Sequence, residues 1–93
     1  MDLSSAVFDW DDLDDEGSNT AHIAENGLTP EEVETAMAAE NTTFDVSNSS
    51  GRPIAFGKTF TGRFVVVVFE LLNLADPLVL RPITAYEVPE PLE

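Results

Sequence analysis

The feature that most constrains the fold is an unbroken apolar run, Phe64-Val65-Val66-Val67-Val68-Phe69. β-Branched and aromatic residues are typical of strands, and the side chains of a strand alternate between the two faces of a sheet. A strand that is apolar on both faces is expected at the centre of a sheet that is covered on both sides. The rest of the chain must therefore supply neighbouring strands and cover for this run.

Patterns with a period of two predict the other strands. We expect strands over 6–10, 42–46, 53–60, 63–70 and 77–88. The third of these places Ile54, Phe56 and Phe60 on one face, and Thr61-Gly62 is predicted to be a two-residue hairpin turn. Pro82 indicates an edge position or a bulge in the last strand, because proline cannot donate a backbone hydrogen bond.

Two short helices are predicted between the first strand and the others. Ser18 or Asn19 can cap the first helix, which should run to about Asn26, with Gly27 in the left-handed position that follows it. The second begins at Thr29-Pro30-Glu31-Glu32, a capping box with proline at the first helical position.

The second helix also carries an apolar stripe. Leu28 and Val33 occupy the two positions of a hydrophobic staple. Val33, Ala36 and Met37 are spaced to face the core, and the helix should end near Ala39. Only three residues separate the two helices, which predicts a tight helical hairpin.

The predicted order is therefore strand, helix, helix and then a meander of three or four antiparallel strands. Helices gathered on one side of a meander form an α+β two-layer sandwich. The 93 residues suit a single domain over 1–93. We expect an ordered core over 6–88 and frayed ends at 1–5 and 89–93.

The charge balance excludes several classes of partner. Eighteen acidic residues against four basic ones give a formal charge of −14. Such a surface repels phosphate backbones and has no basic patch to bind them, so nucleic acids and anionic membranes are disfavoured. Two explanations stay open: solubility in a salty cytoplasm, or a surface complementary to a basic partner.

Other absences in the sequence set the expected location. There is no cysteine, so neither disulfides nor thiolate metal sites can form. The longest apolar run has six residues, too few to span a membrane. The segment 1–5 shows no secretory signal. We expect a soluble cytoplasmic protein.

Motifs for metal or phosphate binding are incomplete. His22 is the only histidine, which excludes sites built from several imidazoles and favours a surface or packing role, with carboxylate-assisted metal binding as the alternative. The acidic segment from Asp12 resembles the start of a calcium loop, but its twelfth position is Ile23 instead of glutamate. Gly57-Lys58-Thr59 resembles the end of a phosphate loop, but Arg52 stands where that loop needs glycine. We predict no metal and no cofactor.

The basic residues are the remaining candidates for chemistry. They are Arg52, Lys58, Arg63 and Arg81, and all fall in the half of the chain that is predicted to form the sheet. If the last strand lies beside the hairpin, Lys58, Arg63 and Arg81 could converge on an anion. The alternative is four scattered bases that pair with the abundant carboxylates.

Several short motifs together resemble the BrnT family, the small toxins of type II toxin–antitoxin systems with a RelE-like ribonuclease fold. The motifs, which lie within about residues 6–88, are Phe8-Asp9-Trp10-Asp11, Glu25-Asn26-Gly27, Leu28-Thr29-Pro30-Glu31-Glu32-Val33-Glu34, Gly57-Lys58-Thr59, Gly62-Arg63 and Arg81-Pro82-Ile83-Thr84-Ala85-Tyr86. The resemblance implies a catalytic surface that includes Lys58, Arg63 and Arg81, with His22 as a weaker candidate, and an antitoxin as partner.

The chain departs from the family where the helix-borne bases should be. The family typically has lysine or arginine and then histidine before the glycine that ends the first helix, whereas this chain has Glu25 and Asn26. It also has the acidic segment 87–91 in place of a basic run. Ribonucleases of this kind need cations on the scissile phosphate. We therefore expect a protein-interaction domain without ribonuclease activity, the alternative being an active ribonuclease toxin.

The central strand also predicts association. Alternation puts Phe64, Val66 and Val68 on one face and Val65, Val67 and Phe69 on the other. Two helices cover only one face, and three exposed apolar side chains would leave an adhesive patch. We predict that a second copy or another protein covers the remaining face.

Overall fold

The chain folds into one layer of helices on one sheet. The computed structural model describes residues 3, 5–12, 14–15 and 17–91. Within these residues two helices pack on a five-stranded mixed sheet, which confirms the predicted α+β class. The elements in chain order are β1 (Val7–Phe8), α1 (Asn19–Glu25), α2 (Pro30–Ala38), β2 (Thr43–Val46), β3 (Pro53–Lys58), β4 (Phe64–Asn73) and β5 (Val79–Glu87). Neither described helix is long and apolar enough to cross a membrane.

The strand order in the sheet is β1-β5-β4-β3-β2, so the apolar β4 is the central strand. Strands β2 to β5 pair antiparallel with their neighbours in sequence. β1 instead pairs parallel to β5, with Val7 opposite Val79 and Phe8 opposite Leu80. This parallel pair makes the sheet mixed, and β1 is much shorter than the strand predicted over 6–10.

Helix α1 covers the part of β5 that lies beyond the short β1. Ser18 caps the helix, as one of the two predicted caps. The Asn19 side chain donates to the Pro82 carbonyl at 2.7 Å, and that of Asn26 donates to the Ala85 carbonyl at 2.9 Å. The two asparagines are two turns apart and so lie on one side of the helix. The β5 register shifts between Thr84 and Pro82, which confirms the bulge, one of the two alternatives predicted for this proline.

Helix α2 begins and ends as the sequence predicts. The Thr29 side chain accepts from the backbone N–H of Glu32, and the Glu32 side chain accepts in return from the Thr29 N–H, so the capping box is complete. The helix ends at Ala38, and its stripe of Val33, Ala36 and Met37 is buried.

The hairpin between β3 and β4 differs from the prediction. β3 ends at Lys58, and the Thr59 N–H donates to the Arg63 carbonyl at 2.8 Å. Between them Phe60, Thr61 and Gly62 form a three-residue loop whose glycine has a φ of 88°. The prediction of a two-residue turn is therefore wrong. Phe60 lies in this loop, 68% exposed, and not on the face of a strand.

The core lies between the helices and one face of the sheet. Val65, Val67 and Phe69 of β4 are fully buried in a cluster that includes Val33 and Met37 of α2. Leu3 is also buried in this cluster, although the sequence placed it in a frayed end. Half of the residues predicted to fray, namely 1, 2, 4, 92 and 93, lie outside the described residues.

Candidate functional site

The face of the sheet opposite the helices is lined mainly by apolar side chains. It carries the alternate side chains of the central strands, namely Ile54, Phe56, Phe64, Val66, Val68, Thr84 and Tyr86, and we call it the open face. Its members face one another across the ladder: Val66 lies between Phe56 and Tyr86, and Val68 between Ile54 and Thr84. Since both helices bury their apolar residues on the other side, no described helix covers the open face.

Packing within the open face hides only part of its apolar surface. The Phe56 and Phe64 rings stack with centroids 6.4 Å apart and an interplanar angle of 18°. Val66 lies outside the core cluster, yet it is only 3% exposed because larger side chains flank it on both neighbouring strands. Tyr86 stays 46% exposed. The open face is therefore a partly exposed apolar surface whose centre is already well packed.

The three cations that the sequence singled out do not converge. Lys58 is opposite Phe64 on β4, whereas Arg81 is opposite Glu70. Six residues of strand at roughly 3.3 Å each put these two positions about 20 Å apart. A single phosphate group cannot contact both side chains.

Arg63 lies on the helical side of the sheet. Its guanidinium donates to the Gly27 carbonyl and is 3.8 Å from the Glu32 carboxylate. Glu87 is also within 4.0 Å. Lys58, by contrast, follows Ile54 and Phe56 at a spacing of two residues and so lies on the open face. The sheet therefore separates it from Arg63.

Each basic side chain is paired with carboxylates of the same chain. Arg52 is 3.3 Å from Glu70 and Lys58 is 3.2 Å from Glu90. Arg81 contacts Asp9 at 3.1 Å and both oxygens of Asp11, the shorter contact being 2.6 Å. The structure therefore agrees with the second of the two sequence hypotheses, in which the bases pair with abundant carboxylates.

The Arg81 cluster joins three elements at one end of the sheet. The hydrogen bonds from Arg81 hold the pKa of Asp11 below its ordinary value and raise the pKa of Arg81. Asn19 lies beside the pair and is only 3% exposed. Its side chain accepts from the Asp11 N–H at 2.9 Å and donates to the Asp9 carbonyl at 2.9 Å. This cluster links β1 to α1 and β5, and we assign it a structural role.

Glu32 is the centre of a second polar cluster that the sequence did not reveal in full. Its side chain is 8% exposed. The Thr61 hydroxyl donates to one carboxylate oxygen at 2.5 Å, and the Thr29 N–H donates to the other. The hydrogen bond from Thr61 is the main reason that the Glu32 pKa lies below its ordinary value. Arg63 adds a smaller effect in the same direction.

A cleft of about 360 Å³ lies beside Lys58, where α2, β3 and the C-terminal segment meet. Its lining residues are Ala39, Glu40, Asn41, Gly57, Lys58, Phe64 and Glu90. One cation here faces two carboxylates, one of which already pairs with it. The charge of the cleft therefore opposes an anionic ligand.

The helix-borne residues at the implied catalytic positions, His22, Glu25 and Asn26, are all exposed. His22 is exposed on α1, and no group of three or more histidine, aspartate or glutamate residues could hold a metal ion within the described part of the chain. Glu25 is exposed, and Asn26 holds α1 against β5. In the acidic segment from Asp12, Glu16 lies outside the described residues.

Comparison with known proteins adds no assignment. The sequence matches no protein-family model, and no curated protein sequence matches it significantly. The resemblance to the BrnT family therefore stays a prediction from the motifs.

Proposed function

We propose that this chain is a BrnT-like protein-interaction domain of the cytoplasm without ribonuclease activity. One observation carries the proposal: each lysine and arginine pairs with a carboxylate of its own chain. A neighbouring carboxylate therefore already offsets the positive charge of each of the three cations of the implied catalytic surface.

Charge argues in the same direction. Binding of a nucleic acid depends on cations that replace the counterions of its phosphates. Cleavage further depends on cations aimed at the charge that develops on the scissile phosphate. A chain of net charge −14 whose bases are spread over both sides of the sheet supports neither step.

A RelE-like arrangement is part of the proposal. It is supported by the order of the elements, in which β1 and the two helices precede four strands that pair in sequence order. It is also supported by the position of both helices on one side of the sheet. An interaction role follows from the open face, which presents apolar side chains that no described helix covers.

The test of the proposal is an RNA cleavage assay with the purified protein, together with growth of cells that express it. We expect no cleavage and no growth arrest. Lys58→Gln is the most informative variant, because Lys58 is exposed and its one ion pair among the described residues is on the surface, so the variant should fold. RNA cleavage by the wild type that Lys58→Gln or Arg63→Gln abolishes in a folded protein would establish the alternative, an active ribonuclease toxin.

A further inference from the structure

We propose that the open face binds a polypeptide whose contact surface is apolar and flanked by lysine or arginine side chains. The inference rests on the proposed interaction function and adds to it the binding surface and the chemistry of the partner. It follows from the apolar centre of the face, from the acidic residues at its rim and from the paired state of the cations.

The apolar centre supplies the contact area. Phe56, Phe64 and Val68 are only partly buried, and Tyr86 is about half exposed. Aromatic side chains of this kind are enriched where proteins bind one another. A partner that covers them removes apolar surface from water, which is favourable in proportion to the area covered.

Carboxylates lie along the rim of this centre, three of them beside the cations with which they pair. Asp45 is opposite Ile54 on β2 and is exposed, and it belongs to no ion pair among the described residues. Glu70 and Asp9 lie toward one end of the face and Glu90 toward the other, with side chains that are 40%, 46% and 54% exposed.

The existing ion pairs at the rim do not prevent a basic partner from binding. Exposed ion pairs contribute little to stability. Replacing an ion pair within the chain by one with a lysine or arginine of the binding partner therefore changes the free energy little. Asp45 gains an ion pair in addition. Complementary charge also accelerates association and excludes partners of the wrong sign.

The same features disfavour a second copy as the occupant. In a dimer Asp45 would meet no unpaired cation, because each lysine and arginine of the second copy already pairs with a carboxylate. Each chain also carries a net charge of −14. Like charges that face each other across an interface oppose association. Self-association should therefore be weak at low salt, where screening is least.

The experiment uses two amphipathic helical peptides of the same pattern, one of leucine and lysine and the other of leucine and glutamate. Binding is followed by calorimetry and by amide chemical shifts of the labelled full chain. We expect the lysine peptide to bind and to perturb the amides of Val66, Val68 and Tyr86. The glutamate peptide should not bind.

Variants distinguish binding at the open face from attraction by charge alone. Val68→Glu and Tyr86→Glu each add a negative charge on the open face. We expect each to lower the affinity for the lysine peptide by about tenfold, as for the loss of one large buried contact. Phe60→Glu adds the same charge at an exposed aromatic residue outside the face and should not weaken it. Tyr86 is exposed, so its variant tests the proposal even if Val68→Glu does not fold.

Three results would overturn the proposal. Tighter binding of the lysine peptide to Val68→Glu and Tyr86→Glu would mean that charge alone attracts it. Shifts confined to the helices would place the interaction on the other side. A dimer in sedimentation equilibrium that strengthens with salt and is lost in Tyr86→Glu would assign the face to a second copy. None of these results depends on RNA cleavage, so they are separate from the test of the proposed function.

Discussion

At the scale of single residues, Glu32 shows how one side chain can have both a local and a long-range role. Its place three residues after Thr29 predicts the capping box, and the structure confirms it. The contacts with Thr61 and Arg63 join residues about thirty positions apart, and no spacing in the sequence reveals them. The buried carboxylate thus fastens the start of α2 to the β3–β4 loop.

The lowered pKa of Glu32 gives a testable dependence of stability on pH. A carboxyl group whose folded pKa is below its unfolded value of 4.5 stabilises the fold fully above that value. This contribution decreases as the pH falls through the folded pKa. Glu32→Gln should lower the free energy of unfolding at pH 7 by about 1–2 kcal/mol, typical of a hydrogen bond to a charged group.

Urea denaturation of the wild type and of Glu32→Gln at pH 7 and at several values below 4.5 measures this effect. The difference between the two proteins should shrink as the solution becomes more acidic. Glu31→Gln is the matched control, because Glu31 is the exposed neighbour in the same helical turn. A difference that does not change with pH would show that Glu32 acts through packing and not through its charge.

At the scale of elements, the features that depend on neighbouring residues were predictable. The caps of both helices and the central position of the Phe64–Phe69 run follow from local patterns, and the structure agrees with them. The predicted length of the hairpin turn was wrong because Thr-Gly suits loops of two or three residues. The Thr59 hydroxyl accepts from the Arg63 N–H and helps to fix the longer loop. The parallel pairing of β1 joins residues 7 and 79, which no local pattern predicts.

Gly57 sets how closely α2 can approach β3. A Cβ at this position would lie 2.2 Å from the Ala36 carbonyl oxygen and 2.7 Å from the Thr42 hydroxyl. The first of these atoms is backbone and cannot rotate away. The glycine that resembles part of a phosphate loop in the sequence therefore has a packing role.

Gly57→Ala should lower the free energy of unfolding by about 2 kcal/mol or more, within the range for an overpacked core. Gly62→Ala is the comparison, because a Cβ there meets no atom within 4 Å and only the φ of 88° opposes it, at about 1 kcal/mol. Chemical denaturation of both variants measures the two effects. A smaller loss for Gly57→Ala than for Gly62→Ala would mean that α2 moves away from the sheet at little cost.

At the scale of the whole molecule, the sequence predicts that the basic residues lie in the half of the chain that forms the sheet. It does not predict how far apart they are or which carboxylates they contact. Their separation depends on register, because Lys58 and Arg81 pair with positions of β4 that are six residues apart. Their pairing depends on tertiary contacts with Asp9, Asp11 and Glu90. Composition could indicate that acidic partners would be abundant, and the fold decides which of them are used.

The excess of carboxylates predicts how the fold responds to salt. With 18 acidic residues against four basic ones, repulsion within the compact state exceeds what the four paired cations can offset, and unfolding lets the like charges separate. The screening length falls from about 30 Å at 0.01 M salt to about 3 Å at 1 M. The melting temperature should therefore rise with sodium chloride, since exposed ion pairs lose little when they are screened. Differential scanning calorimetry over this range measures the rise.

A variant separates charge screening from the general strengthening of apolar burial by salt. Asp12, Asp14 and Asp15 are exposed between β1 and α1 and belong to no ion pair within the described residues, so the triple replacement by asparagine removes repulsion without breaking a contact. The variant should melt higher than the wild type at low salt, and the two curves should approach each other as salt increases. Parallel curves would assign the response to burial, and a wild type that melts lower in salt would mean that the ion pairs of Arg81 and its neighbours outweigh the repulsion.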